Sequence, residues 1–184
     1  LGAGFLVAAF SLSSMAAETR VTAQPKPNAC AASLPKELTA RLGEAYKGWR
    51  VLGISALVAD DQAIWKQTWD AKSCPGVATG DFKGAGTASY AIALIHQAAS
   101  ARSEKLILAD KSGGTYRLTE LYSENIVSNF AVVRKGPPGQ YKDFYDRTKP
   151  ITIRTDTAIY EHIEASAIAF YAKGNVFEKV LISD

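Results

Sequence analysis

The run Ala88-Ser89-Tyr90-Ala91-Ile92-Ala93-Leu94-Ile95-His96-Gln97 decides the fold. Its side chains alternate with period two: Tyr90, Ile92 and Leu94 fall on one face, Ala91, Ala93 and Ile95 on the other. Both faces are apolar, so the segment reads as a central strand covered on both sides rather than one with a wet face. Around it, short apolar or alternating runs predict further strands over Arg50–Val58, Ala63–Thr68, Gly76–Asp81, Lys105–Ala109, Tyr116–Tyr122, Phe130–Val133, Ile151–Thr155, Ile159–Tyr171 with one interruption, and Val176–Ile182. Asp60-Asp61, Lys111-Ser112-Gly113-Gly114 and Lys173-Gly174-Asn175 punctuate them as hairpin turns. In Tyr116–Tyr122, strict alternation puts Tyr116, Leu118, Glu120 and Tyr122 on one face and Arg117, Thr119 and Leu121 on the other, a half-exposed pattern.

Upstream, the texture differs. Leu34, Leu38, Leu42 and Tyr46 recur every fourth residue and predict one helix, capped by Ser33 or Leu34, with Pro35 in its first turn and Gly48 at its stop. The fold class is therefore α+β: one N-terminal helix packed on an antiparallel β-meander sheet, as a single domain over residues 33–184.

Leu1–Leu12 form an uncharged apolar run of about a dozen residues, short of the roughly 20 that a membrane-spanning helix requires. Small residues, Ser13-Ser14-Met15-Ala16-Ala17, follow it, and cleavage after Ala16 suits a signal peptidase. We read residues 1–17 as a secretory signal peptide lacking its start, and the polar, Pro-containing residues 18–32 as a linker. That reading predicts a periplasmic or secreted protein with no stable membrane anchor after signal cleavage. The competing reading is a buried N-terminal helix, which finds no amphipathic partner in the residues that follow. Cys30 lies too far beyond the apolar run to be a lipidation site.

Cys30 and Cys74 are the two cysteines of the chain. An even count in an exported protein favours a disulfide, against two buried thiols as the alternative. A zinc site would need both cysteines together with the isolated His96 and His162. The net charge of +3 is weak and dispersed, and excludes the strong basic footprint of a nucleic-acid-binding protein.

The most specific stretch is Cys74-Pro75-Gly76-Val77-Ala78-Thr79-Gly80-Asp81-Phe82-Lys83-Gly84-Ala85-Gly86-Thr87-Ala88-Ser89-Tyr90-Ala91. It resembles the FG-GAP or VCBS-type repeat, whose strand-connecting loop reads Gly-Asp-Phe-Asn-Gly-Asp-Gly-x-x-Asp and often binds calcium. The resemblance covers this single stretch and implies a hairpin inside a small exported bacterial α+β protein; Tyr160-Glu161 and the tail Ala167–Gly174 also look like that class. The calcium chemistry is depleted: Lys83, Ala85 and Ser89 stand where oxygen ligands are usual, and Asp81 alone remains, whereas calcium takes six to eight oxygens. We therefore expect no metal and no cofactor. The surviving expectation is a structural loop in which Gly80, Gly84 and Gly86 permit positive φ, Phe82 anchors, and Asp81 accepts backbone N–H bonds.

No Gly-x-Ser-x-Gly motif or P-loop is present, and the two histidines available as a base, His96 and His162, fall at or within expected strands, where a structural role is the expectation. His162 and Glu164 would share a face of a regular strand without a third ligand. The carboxylates Asp60, Asp61, Asp143, Asp146, Glu161 and Glu164 offer no selected pair. The remaining candidate is Arg134–Pro150, where Tyr141, Lys142, Phe144, Tyr145 and Arg147 combine aromatic and basic groups on a Pro- and Gly-punctuated segment, the composition of binding surfaces. Its alternative is a set of aromatics folded back over a sheet edge. These readings converge on a non-enzymatic envelope protein that binds an envelope protein partner, in the manner of an immunity protein or inhibitor. An envelope glycan hydrolase whose carboxylates converge only in the fold, and a purely structural module, are the alternatives.

Overall fold

The computed structural model describes residues 28–69, 73–98 and 101–183; the signal peptide read at 1–17 and most of the linker read at 18–32 lie outside them. Along the chain run α1 (Ala29–Ala32), α2 (Lys36–Ala45), β1 (Arg50–Val51), a 3-10 turn (Ile54–Ala56), α3 (Ala59–Thr68), β2 (Val77–Gly80), β3 (Ser89–Gln97), β4 (Arg102–Ser112), β5 (Thr115–Asn125), β6 (Val132–Gly136), β7 (Gly139–Tyr141), β8 (Ile151–Ile153), β9 (Thr157–Glu161), β10 (Ala167–Lys173) and β11 (Val176–Ser183).

The strands form antiparallel sheets. The first has the order β1-β3-β4-β5, with β2 also pairing with β3; the second has the order β11-β10-β9-β6; β7 and β8 form a separate ribbon. The period-two reading of β3 explains the layering. Ile92 and Leu94 pack with Leu34, Leu38 and Leu42 of the helical layer. Ala91, Ala93 and Ile95 face the second sheet, where Val133, Ala158, Tyr160 and Phe170 meet them. Beyond the second sheet, Ile159, Ala169, Tyr171 and Val180 are covered by Tyr141, Ile151 and Ile153 of the ribbon. Helices, sheet, sheet and ribbon thus bury three apolar seams in succession.

Several elements depart from the sequence reading. Among the described residues, two sheets with a ribbon replace the single sheet, and three helices replace the one N-terminal helix. Within the residues read as linker, Asn28–Ala32 carry a one-turn helix, held because the Asn28 side chain accepts from the Cys30 amide at 3.0 Å and donates to the Val51 carbonyl. Pro35, not Ser33 or Leu34, occupies the N-cap position of α2. Ala63–Thr68 belongs to α3, and Asp60-Asp61 sits in the first turn of that helix instead of a hairpin. The physical reason is that two carboxylates at a helix start oppose the positive end of the helix dipole. Asp61 and Trp65 repeat at four-residue spacing, and both are buried. The strand expected at Arg50–Val58 stops after two residues.

Candidate binding surface

The loop after β2 is built as a closed structural turn. Asp81 spends both carboxylate oxygens on backbone: Oδ1 accepts from the Ala85 amide at 2.9 Å and Oδ2 from the Gly86 amide at 2.8 Å. Phe82 is wholly buried beneath it. Ser89 accepts from the Phe82 amide and donates to the Gly80 carbonyl at 3.0 Å, staples at the loop base. Lys83 pairs with Asp110 at 3.0 Å. Gly84 and Gly86 have φ of 68° and 71°. Gly80 is different: its φ is not positive, and glycine is needed there because a Cβ would lie 2.9 Å from Asp156 Oδ2. That carboxylate also accepts the Asp81 amide. The Cys30–Cys74 bridge, with Cα atoms 5.2 Å apart, ties α1 to the approach of this hairpin. Among the described residues no group of three or more His, Cys, Asp or Glu side chains is arranged to hold a metal ion.

The aromatic-basic segment divides into a fastened part and a displayed part. Tyr141 turns inward over the second sheet, its hydroxyl donating to the Pro137 carbonyl at 2.6 Å and lying 3.0 Å from Thr157 Oγ1. The Phe144 amide donates to the Leu181 carbonyl at 2.8 Å, hanging the segment on strand β11. Asp143 accepts from the Tyr145 and Asp146 amides, and Asp146 accepts from the Thr148 amide, which fixes the backbone by successive Asx-type turns. On this rigid support Tyr145 is 76% exposed. Its ring meets Phe144 edge-on at 5.3 Å, and the Arg147 guanidinium covers the other ring at 5.1 Å. Lys142 is exposed beside them.

A groove opens along the same strand. It lies between β5 and β11, the terminal strands of the two sheets, and encloses about 700 Å³. Leu121, Phe170 and Phe177 form its apolar lining, and Lys83, Arg117 and Lys179 bring positive charge. Glu120 and Glu178 also border it, but each is engaged by a lysine, Lys105 at 2.6 Å and Lys173 at 2.9 Å. Sequence reasoning missed this site because strict alternation fails in β5. A bulge opposite Leu106 and Ile107 shifts the register, so Tyr122 turns into the space between the sheets while Tyr116 and Leu118 stay on the helix side.

Carboxylates do converge, though not the ones the sequence offered. Glu104 and Glu124 stand directly opposite on β4 and β5. The Tyr160 hydroxyl donates to Glu124 Oε1 at 2.6 Å and lies beside Glu104. The Ala131 amide donates to Glu104 Oε2 at 2.9 Å. Burial, above all, pushes the Glu104 carboxyl up to about 8 and raises Asp61 as well. His162 bridges Glu124 Oε1 and the Asn129 carbonyl, at 3.2 and 3.1 Å. Glu164 does not share a strand face with it: β9 ends at Glu161, residues 162–166 form a turn, and Glu164 has φ of 59°. Glu161 instead pairs with Arg134, and His96 lies against Trp49. A cavity of about 320 Å³ touches Glu124 and His162. Glu104, however, is fully buried, so this pair cannot flank a polymeric substrate.

Lys179 and Phe177 thus lie on the edge strand β11, and Tyr145 stands in the segment that the Phe144 amide fastens to the same strand; together they are the candidate binding surface among the described residues. Among these residues no helix is long and apolar enough to cross a membrane. In comparisons with protein-family models, with curated proteins and with solved structures, the chain matches none.

Proposed function

We propose that the chain is an exported protein of the cell envelope, periplasmic or secreted, that binds a protein partner and does not transform a substrate. The observation that carries this reading is the Phe144–Tyr145–Arg147 knuckle, an exposed aromatic on a backbone fixed at Tyr141, Asp143, Phe144 and Asp146. An exposed tyrosine normally loses side-chain and backbone freedom when it docks. Here much of the backbone cost has already been met in the free protein, which is the preorganisation that favours tight association. Tyrosine and arginine are also the residues that most often dominate interface energetics. An immunity protein or inhibitor acting on an envelope hydrolase or toxin is one form this function takes.

A second reading, envelope glycan hydrolysis, draws on the Glu104, Glu124 and His162 convergence. The sealing of Glu104 disfavours it, since a general acid must reach the bond it protonates.

The test is photocrosslinking in envelope extract of the source cells, with benzoylphenylalanine placed at position 145 and, as a control, at the exposed Lys47. The expected result is a discrete adduct from position 145 that excess wild-type protein suppresses and the Phe144→Ala/Tyr145→Ala/Arg147→Ala variant does not. Equal adduct yield from both positions, or equal suppression by wild type and variant, overturns the reading.

A further inference from the structure

We propose that the free edge of β11 is a strand-addition site for an extended segment of the partner in which acidic and apolar residues alternate. This rests on the reading of the chain as a protein-binding module and gives the partner a second contact on the strand that already carries the knuckle.

The register of the hairpin supplies the backbone argument. β10 and β11 are joined by the two-residue turn Gly174-Asn175, with Gly174 at φ of 63°. A turn of this length makes Lys173 and Val176 a hydrogen-bonded pair, and such pairs alternate along an antiparallel ladder. Tyr171 with Glu178 and Ala169 with Val180 are then bonded pairs, whereas Phe177, Lys179 and Leu181 direct their N–H and C=O groups away from β10. The Leu181 carbonyl is already taken by the Phe144 amide. The chain thus shows on itself that this edge receives a main-chain donor. The next positions toward the hairpin tip, Phe177 and Lys179, face no strand, because β11 ends its sheet. Free edges of this kind are where extended peptides add.

Side chains define what is added. Phe177 and Lys179 point between the sheets into the groove, in register with Ala172 and Phe170. Among the described residues Lys179 has no ion pair, its ammonium resting 4.9 Å over the Tyr122 ring. Arg117, across the groove, is 62% exposed and shares the single carboxylate of Asp110 with Lys83. A strand laid along β11 would direct every second side chain into this groove, where carboxylates meet Lys179 and Arg117. The intervening side chains would lie outward beside Val176, which is 60% exposed. Acidic inward and apolar outward is therefore the pattern that complements the edge.

The probe is a fluorescein-labelled octapeptide alternating glutamate and valine, titrated by anisotropy against the full chain. Its comparators are the lysine and valine alternation and a glutamate and valine peptide N-methylated at every second amide. The expected result is saturable binding of the first peptide only, weakened about tenfold or more by Lys179→Glu, and by a smaller factor by Lys179→Met, which keeps the apolar stem. Binding that is absent, equal for the lysine peptide, insensitive to N-methylation or insensitive to Lys179→Glu in a variant with wild-type circular dichroism overturns strand addition. A position 145 adduct found together with any of these failures leaves the knuckle reading standing alone, and loss of both removes the partner-binding function.

Discussion

Glu104 is the residue on which the two sheets depend most unusually. A carboxyl group with no exposed surface is held between β4 and the second sheet by the Ala131 amide and the neighbouring Tyr160. Burial raises it to about 8, from an ordinary 4.5, while Glu124 opposite adds repulsion and Arg102 offsets part of it. Because the folded value lies above the unfolded one, folding takes up a proton between pH 4.5 and 8. The associated stability is complete below pH 4.5 and declines as pH rises through 8, by an amount on the order of a few kcal/mol. Glu104→Gln keeps the acceptor for Ala131 and removes the titration. Urea midpoints at pH 5, 7 and 9 should show wild type losing stability steadily and the variant losing much less, with Asp61, raised in the same sense, supplying a residual slope. Parallel pH profiles for the two proteins would refute the assignment. Nothing in the sequence marks Glu104. It precedes an apolar run like any solvated edge residue, and only the register with β5 and the crossing of Tyr160 from the other sheet give it its environment.

At the scale of elements, the loop between β2 and β3 is a turn in which one carboxylate, Asp81, accepts the chain's own amides. Asp81→Ala would leave the Ala85 and Gly86 amides without their acceptor and should cost about 1–3 kcal/mol, measured by urea unfolding. Gly84→Ala should also destabilise, by about 1–2 kcal/mol, because its φ is 68° and the added Cβ would lie 2.7 Å from Thr155 Cγ2. Wild-type midpoints for both variants would show that the loop is slack. This loop was legible because turn chemistry is local: glycine, aspartate and an anchoring aromatic act within ten residues. So was α2, whose Leu38 and Leu42, with Leu34 just before the helix, form a local four-residue period. By contrast, α3 was read as a strand because its apolar residues are few. The spacing of Asp61 and Trp65, with Trp69 stacked on Trp65 at 4.6 Å, was the available signal. The bulge in β5 had none, since it is defined by pairing with Leu106 and Ile107.

For the whole molecule, the question is what joins the helical layer to the sheets. The α+β class and the doubly covered β3 followed from period alone, but the division into two sheets did not, because each hairpin reads the same whichever sheet it enters. Across the first seam the helical layer contributes mainly Leu34, Leu38 and Leu42, a small apolar stripe. The Cys30–Cys74 bridge spans a sequence separation of 44 and fastens α1 to the start of β2. Closing a loop of that length in the unfolded chain removes entropy equivalent to about 4 kcal/mol. Cys74 also sits just before the hairpin whose acidic residue is committed to backbone amides, so the covalent tie restrains the approach to that loop. Reduction, or the Cys30→Ser/Cys74→Ser pair, should therefore lower the thermal midpoint substantially, by about 10 °C or more for a chain of this size, with the loss seen first in hydrogen exchange of α1, α2 and β2. Calcium and chelator should each leave the midpoint where it was, because Asp81 has no oxygen to spare. A calcium-dependent midpoint with an indifferent response to reduction would reverse the roles assigned to the ion and the bridge.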